Sequence, residues 1–266
     1  MTYTIAFAGK GGTGKTTLAA LIVRALDDLA AGSVLAVDAD PNSTLHEALG
    51  VEVERSVGEI TEDMLMSSGL TQPGGMSKET WVEYNIQRYI VETPSFDLLS
   101  MGRPEGAGCY CYANNLVRGC IDSLSRSYAY VVMDNEAGLE HLSRRTTRDV
   151  DLLLIVSDPS VRGIRTAGRL SQLADELAIR VDSRFIVVNR AEDPLEPVLQ
   201  DTAGQTGLEF LGTVPSDAGV TRCDLACAGL FDLPEESPAL VAARALLLAA
   251  VPSLRPRAPQ ASAIES

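Results

Sequence analysis

The stretch Gly9-Lys10-Gly11-Gly12-Thr13-Gly14-Lys15-Thr16-Thr17 fits the pattern G-x-x-x-x-G-K-[ST] and carries a second lysine directly after its first glycine. Such a match has meaning only in context. Before it runs Tyr3-Thr4-Ile5-Ala6-Phe7-Ala8, an apolar, β-rich segment that reads as a buried strand. After it, Leu18, Leu21, Ile22, Ala25, Leu26 and Leu29 recur at helical spacing on one face. Strand, glycine loop and helix together let backbone N–H groups turn toward phosphate oxygens, with the helix N-terminus adding partial positive charge. In that arrangement Lys15 neutralises the β- and γ-phosphates of a nucleotide, and the Thr16 hydroxyl ligates Mg²⁺. A glycine-rich turn with incidental lysines is the bland alternative, and the flanking strand and helix argue against it.

A chain of 266 residues suits one large α/β domain, and an apolar content of 45% is enough to build its core. No uncharged apolar run is long enough for a transmembrane helix, and the first residues lack the charged-then-apolar order of a signal peptide. The expected location is therefore the cytoplasm, where the five cysteines would be reduced thiols. A formal charge of −14, spread along the chain, argues against a nucleic-acid partner. From Pro252 the sequence turns to proline, arginine, small and polar residues, so 1–251 reads as the domain and 252–266 as a disordered tail.

Strand-like runs at Tyr3–Ala8, Ser33–Val37, Phe96–Leu99, Tyr130–Met133, Leu152–Val156, Phe185–Val188 and Glu209–Leu211 alternate with helical patterns. The helices are clearest at Thr16–Ala30, Lys78–Val91, Val161–Leu177 and Pro238–Val251. This alternation predicts a single doubly wound, mainly parallel sheet of about seven to eight strands with helices on both faces. Ligands in such sheets lie beyond the carboxyl ends of the strands. Pro238–Val251 has Arg244 as its only charge, so it is expected to pack on the sheet rather than on a membrane surface.

Several polar residues close predicted strands. Asp38 and Asp40 follow the second strand, where Asp40 would orient the attacking water and Asp38 would serve the magnesium shell. Asp134 ends the run Val131-Val132-Met133, the position of a carboxylate that holds Mg²⁺ through water. Gly138 comes four residues later, where its N–H would report the γ-phosphate. Asn189 and Arg190 end another strand and suit a purine edge. Asn189-Arg190-Ala191-Glu192 lacks the lysine and aspartate of Asn-Lys-x-Asp, which favours ATP over GTP. Pro215, in Val214-Pro215-Ser216-Asp217, would either wall the base pocket or form an ordinary strand-ending turn.

Gly108-Cys109-Tyr110-Cys111-Tyr112 is a second chemical feature. On extended backbone, residues two apart face the same side, so both sulfurs address one target. Two thiolates do not fill a four-donor shell, whereas two chains meeting at a two-fold axis would bring four sulfurs to one metal. Cys120 is expected in a helix. Cys223 and Cys227, four apart, are expected on one helical face, packed in the core rather than forming a second soft metal site. His46 and His141 are expected to be structural.

Lys10 makes the glycine loop resemble that of the deviant Walker A ATPases, which include MinD, ParA, the ArsA ATPases and the nitrogenase iron protein. Asp38, Asp40, Asp134 with Gly138, and Asn189 match as well. The resemblance implies a P-loop fold, slow Mg-dependent hydrolysis of ATP to ADP and phosphate, and a homodimer in which Lys10 reaches the partner's phosphates. Lys10, Lys15 and Asp40 would then be its catalytic residues. Within that group, Gly108–Cys111 with Asn114-Asn115-Leu116, and Met133-Asp134-Asn135-Glu136-Ala137-Gly138-Leu139-Glu140-His141-Leu142-Ser143-Arg144-Arg145, are similar to the CooC family. That family comprises the accessory ATPases of nickel insertion into carbon monoxide dehydrogenase. The resemblance implies interfacial cysteines that bind nickel or zinc and apo-carbon monoxide dehydrogenase as client. An accessory ATPase of acetyl-CoA synthase and an iron–sulfur redox carrier are the alternatives. The second loop has no cysteine, which speaks against the carrier. No basic C-terminal helix or basic surface supports membrane or DNA binding.

Overall fold

The computed structural model describes residues 2–66, 76–102, 119–138 and 149–254. Cys109, Cys111 and His141 lie outside them. The strands are β1 (Tyr3–Gly9), β2 (Val34–Asp38), β3 (Val91–Glu92), β4 (Asp97–Ser100), β5 (Tyr130–Asp134), β6 (Asp149–Ser157), β7 (Arg180–Asn189) and β8 (Glu209–Val214). The helices are α1 (Lys15–Asp28), α2 (Leu45–Leu49), α3 (Val57–Met66), α4 (Lys78–Arg88), α5 (Val161–Glu176), α6 (Pro197–Gly204), α7 (Ala218–Leu225) and α8 (Pro238–Ala250). Residues 119–125 are also helical and contain Cys120, as expected.

These strands form one eight-stranded sheet in the order β3-β4-β2-β5-β1-β6-β7-β8. Every pairing is parallel except that of β3 with β4. Central strands are apolar along their length because both faces are covered. Ile5 and Phe7 of β1 point to a core shared with α1 and α8, while Ala6 and Ala8 point to a core shared with α4, α5 and α6. Leu18, Leu21, Ile22 and Leu26 of α1 are buried, each stabilising the fold by about 1.5–3 kcal/mol.

The sheet matches the expected architecture, with informative differences at its margins. Val91, read as the end of a helix, lies instead in the edge strand β3, since α4 stops at Arg88. It pairs antiparallel with Leu98 in a short hairpin whose turn is closed by the Thr93 N–H and hydroxyl on the Phe96 carbonyl, an arrangement that a helical period does not register. Strands β6 and β7 extend further than their apolar runs, because Asp149 and Arg180 pair at the solvated end of the sheet. Helix α8 packs against α1 and β8, with Leu240, Leu246 and Leu247 buried. No helix among the described residues is long and apolar enough to cross a membrane. Beyond α8 the chain forms a 3₁₀ turn, Pro252–Leu254, and Leu254 packs on the core, so order reaches past the expected boundary at 251.

The expected cysteine pair is not one helical face. Helix α7 ends at Leu225, and Cys227 follows with φ of 50° and an exposed side chain. Cys223 alone touches the core. The reason is local: Ala226, Cys227 and Ala228 fold back so that their N–H groups satisfy the last carbonyls of α7.

Candidate nucleotide site

Sheet register brings the polar strand ends together. Asp134 pairs with Phe7 of β1 on one side and with Asp38 of β2 on the other, and Gly9 pairs with Val156. Residues far apart in sequence therefore converge beside the loop 9–17.

Gly14 is the N-cap of α1, with φ of 87°, and an added Cβ would lie 2.2 Å from the Asn189 side-chain nitrogen. Only glycine suits both the left-handed backbone and that approach. Helices α4, α5, α7 and α8 have side-chain caps from Ser77, Ser160, Asp217 and Ser237. Helix α1 has no side-chain cap and no acidic residue in its first turn. Its leading N–H groups are thus suited to an external anion.

Lys15 is buried at the start of α1, with 8% of its surface exposed, and its ammonium points to the Lys10 carbonyl at 3.5 Å. Burial lowers its pKa, and the nearby Asp134, Asp40 and Glu136 restrain that fall. Asp134 is fully buried, and among the described residues neither carboxylate oxygen has a hydrogen-bond partner of normal geometry. Burial pushes its pKa up to about 7, although the adjacent Thr16 hydroxyl and Lys15 favour its ionised form. An unpartnered buried carboxylate is costly unless something else satisfies it. A cation bound by Thr16 and supported by Asp134 would do so.

Asp38 is also fully buried, and burial raises it to about 6. Its oxygens accept from the Asp40 N–H at 3.2 Å and the Leu45 N–H at 2.9 Å, so it fixes the turn that presents Asp40. Asp40 is half-buried and accepts from the backbone and side-chain nitrogens of Asn42, at 2.8 and 3.0 Å. Gly138 donates to the Gly9 carbonyl at 3.3 Å, and a Cβ on Gly11 would lie 3.9 Å from that of Ala137. The two loops are neighbours. Lys10, Gly11 and Gly12 are exposed, whereas Thr13 is buried with its hydroxyl on the Lys10 carbonyl at 2.9 Å.

A cleft of about 1080 Å³ opens beside α1, lined among others by Thr16, Thr17, Asn189, Arg190, Pro215 and Asp217. Asp217 also accepts from Gly219, Ser237 and Ala239, so the turn after β8 both lines the cleft and ties α7 to α8. Asn189 does more than sequence suggests: its amide donates to the Thr13 carbonyl at 2.8 Å. Arg190 donates to the Gly12 carbonyl.

Sequence reasoning gave Asn135 no role, yet its buried amide holds the carbonyls of Phe7 and Met133 at 2.9 and 3.3 Å. A polar residue directly after an apolar strand was the available signal. His46 is half-buried on the cleft wall, and its Nδ1 has no hydrogen-bond partner among the described residues. Among the described residues, no group of three or more His, Cys, Asp or Glu side chains could hold a metal ion. The Cys-x-Cys pair lies outside them.

Comparison with known proteins agrees with this geometry. Residues 4–226 match the model of the CobQ/CobB/MinD/ParA nucleotide binding domain. An uncharacterized ATP-binding protein of Methanocaldococcus jannaschii is 44% identical over 88% of this chain and 92% of its own length. The carbon monoxide dehydrogenase accessory protein CooC of Rhodospirillum rubrum is 32% identical over 86% of this chain and 89% of its own. Among solved structures, the cell division ATPase MinD of Pyrococcus furiosus superposes with a TM-score of 0.69 at 19% identity, covering 96% of this chain and all of that one. The sheet, the loop at the head of α1 and the matched span lead to one conclusion: the chain belongs to the CobQ/CobB/MinD/ParA nucleotide-binding-domain family.

Proposed function

We propose that this protein is a magnesium-dependent ATPase that works as a homodimeric metal-delivery accessory protein, with carbon monoxide dehydrogenase as its client. The observation that carries the nucleotide half is the buried, unpartnered Asp134 facing Thr16 and Lys15 at an uncapped helix start. Thr16 and Asp134 would hold Mg²⁺, which supplies charge neutralisation for ATP or ADP. Gly9, Gly11, Gly12, Thr13, Gly14 and Thr17 complete the cradle, while Asn189, Arg190 and Pro215 flank the base. Asp40, held by Asn42, would orient a water, and Gly138 links the second loop to the first.

The metal half is supported by the similarity to CooC along 86% of the chain and by Cys109 and Cys111. Two sulfurs per chain complete a four-sulfur site only in a dimer, so Ni²⁺ or Zn²⁺ is expected to bind at about one ion per dimer. Replacing both Cys109 and Cys111 by serine should abolish tight binding, because a hydroxyl is a harder, poorly ionised ligand. ATP hydrolysis should persist, since neither sulfur belongs to the phosphate site. Equilibrium dialysis with metal analysis, run beside an ATPase assay, tests this. Tight binding by the double variant at the same ratio would sink the interfacial site. A brown protein carrying iron and sulfide after anaerobic purification would favour a redox carrier instead.

Lys10 gives an independent test of the dimer. Its side chain is exposed, and its carbonyl, not its ammonium, is used within the loop. Lys10→Ala should weaken ATP-dependent dimerisation roughly tenfold or more while the monomer's ATP affinity changes little. Light scattering with and without Mg-ATP reads the first quantity, and calorimetry reads the second. Lost affinity with unchanged dimerisation would make Lys10 an intrachain contact.

A further inference from the structure

We infer that Arg190 is a positioning residue of the phosphate loop, which it orders from behind through the Gly12 peptide in concert with Asn189; this rests on the nucleotide-site reading above. Strand β7 ends in Asn189, and the next residue turns sharply, with φ of 55° at Arg190. A non-glycine residue keeps such a backbone only where its surroundings hold it. Here the Asn189 side-chain oxygen accepts from the Arg190 N–H at 2.9 Å and pins the turn. The turn then grips the phosphate loop twice. The Arg190 guanidinium donates to the Gly12 carbonyl, and the Asn189 amide donates to the Thr13 carbonyl at 2.8 Å.

These are carbonyls of consecutive peptides. A trans peptide aims its N–H opposite to its carbonyl. Holding both carbonyls toward β7 therefore aims the N–H groups of Thr13 and Gly14 away from β7 and into the loop. The Thr13 N–H does face the loop, directed at the Lys10 carbonyl at 3.4 Å. The side chains are closely seated: a Cβ on Gly14 would lie 2.2 Å from the Asn189 nitrogen and 3.7 Å from the Arg190 guanidinium.

Asn189 is 7% exposed, so its amide is confined. Arg190 is exposed and reaches the loop from outside. Both residues also line the cleft. One turn thus joins the cleft to the peptides of the glycine loop. The Thr13 N–H is held by the Lys10 carbonyl, so the Gly14 N–H is the one aimed in advance for phosphate, with no reorganisation needed on binding. Arg190 supplies that order without touching the reacting atoms.

Two probes separate this role from contact with the base or with phosphate. Inorganic tripolyphosphate with Mg²⁺ has no base, and hydrogen exchange of the Thr13 and Gly14 amides can be followed with no ligand added. In Arg190→Ala, tripolyphosphate and ATP affinities should fall together, by roughly tenfold. Exchange at Thr13 and Gly14 should speed up by a similar factor before any ligand is present, while amides of α5 stay unchanged. Arg190→Gln, which keeps a neutral donor of shorter reach, serves as a second variant if the alanine form is unstable, with the same directions expected.

A loss of ATP affinity with tripolyphosphate affinity and exchange unchanged would mean that Arg190 touches only the base, and would overturn the inference. Weaker tripolyphosphate binding with unchanged exchange would mean direct charge contact, and would overturn it too. A wild-type protein that binds neither ATP nor tripolyphosphate would overturn the nucleotide-site reading itself.

Discussion

Replacing Lys15 by alanine is expected to abolish nucleotide binding, with affinity for Mg-ATP falling by at least about a hundred- to a thousandfold. Lys15 is the buried cation of the loop, with Asp134, Asp40 and Glu136 close enough to influence its charge. Removing it leaves a cluster of carboxylates facing an incoming polyphosphate. Hydrogen bonds to charged groups contribute about 1.5–3 kcal/mol each, and two such contacts to phosphate account for a loss of that size. The fold should survive, because α1 is anchored by Leu18, Leu21, Ile22 and Leu26 rather than by its first residue. Calorimetric titration of the variant, with a thermal melt to confirm folding, tests the expectation. An affinity within threefold of wild type would remove Lys15 from the phosphate site.

A second large effect is expected at Asp134, and its sign depends on pH. In the native protein burial pushes this carboxyl up to about 7, against an ordinary aspartate value near 3.9 in the unfolded chain. The folded state therefore holds a proton that the unfolded state has released over that interval. Stability from this group is fully present below about pH 4 and is lost as pH rises through about 7. The integrated penalty is of order 4 kcal/mol.

Asp134→Asn removes the ionisation while keeping the shape. With neither nucleotide nor Mg²⁺ added, the variant should melt roughly 5–10 °C above wild type at pH 8 and should keep only about a third of that gain at pH 5. The same substitution should erase the extra stabilisation that Mg²⁺ gives beyond ATP alone. Melting curves from pH 5 to 8, with and without Mg-ATP, measure both effects. Parallel curves for the two proteins would show that Asp134 is not ionised at cost to the fold. A carboxylate that destabilises the fold fits the proposed role of supporting a bound cation.

Some of this was legible in the chain because it is local. The glycine loop carries its conformation in adjacent residues: Gly14 must be glycine for its backbone alone, and Lys15 and Thr16 follow it on the first turn of α1. Period 2 in β1 and the helical period of α1 express burial directly, so the layered parallel sheet followed from hydrophobic spacing. The acids at strand ends stood out as polar residues closing apolar runs.

Tertiary structure alone decided what depends on distant partners. Asn189 meets the Thr13 carbonyl across 176 positions, and Arg24 donates to the Leu230 carbonyl across 206; nothing in the local sequence announces either contact. Short helices such as α2 and α6 lack a long amphipathic period, and their place is set by what they cover. Cys223 and Cys227 show the limit of spacing rules, since four residues apart mean one face only while the helix continues. The polarity of Asp134 was readable, but its isolation was not. That isolation arises because β5 lies between β1 and β2, which bury its last residue and leave its carboxylate only the adjacent Thr16 hydroxyl and Lys15 to offset that burial among the described residues. Sequence determined which groups the site holds, through backbone rules that act within a few residues. Sheet register determined how they meet and what they cost, because burial and hydrogen-bond partners exist only once distant strands have paired.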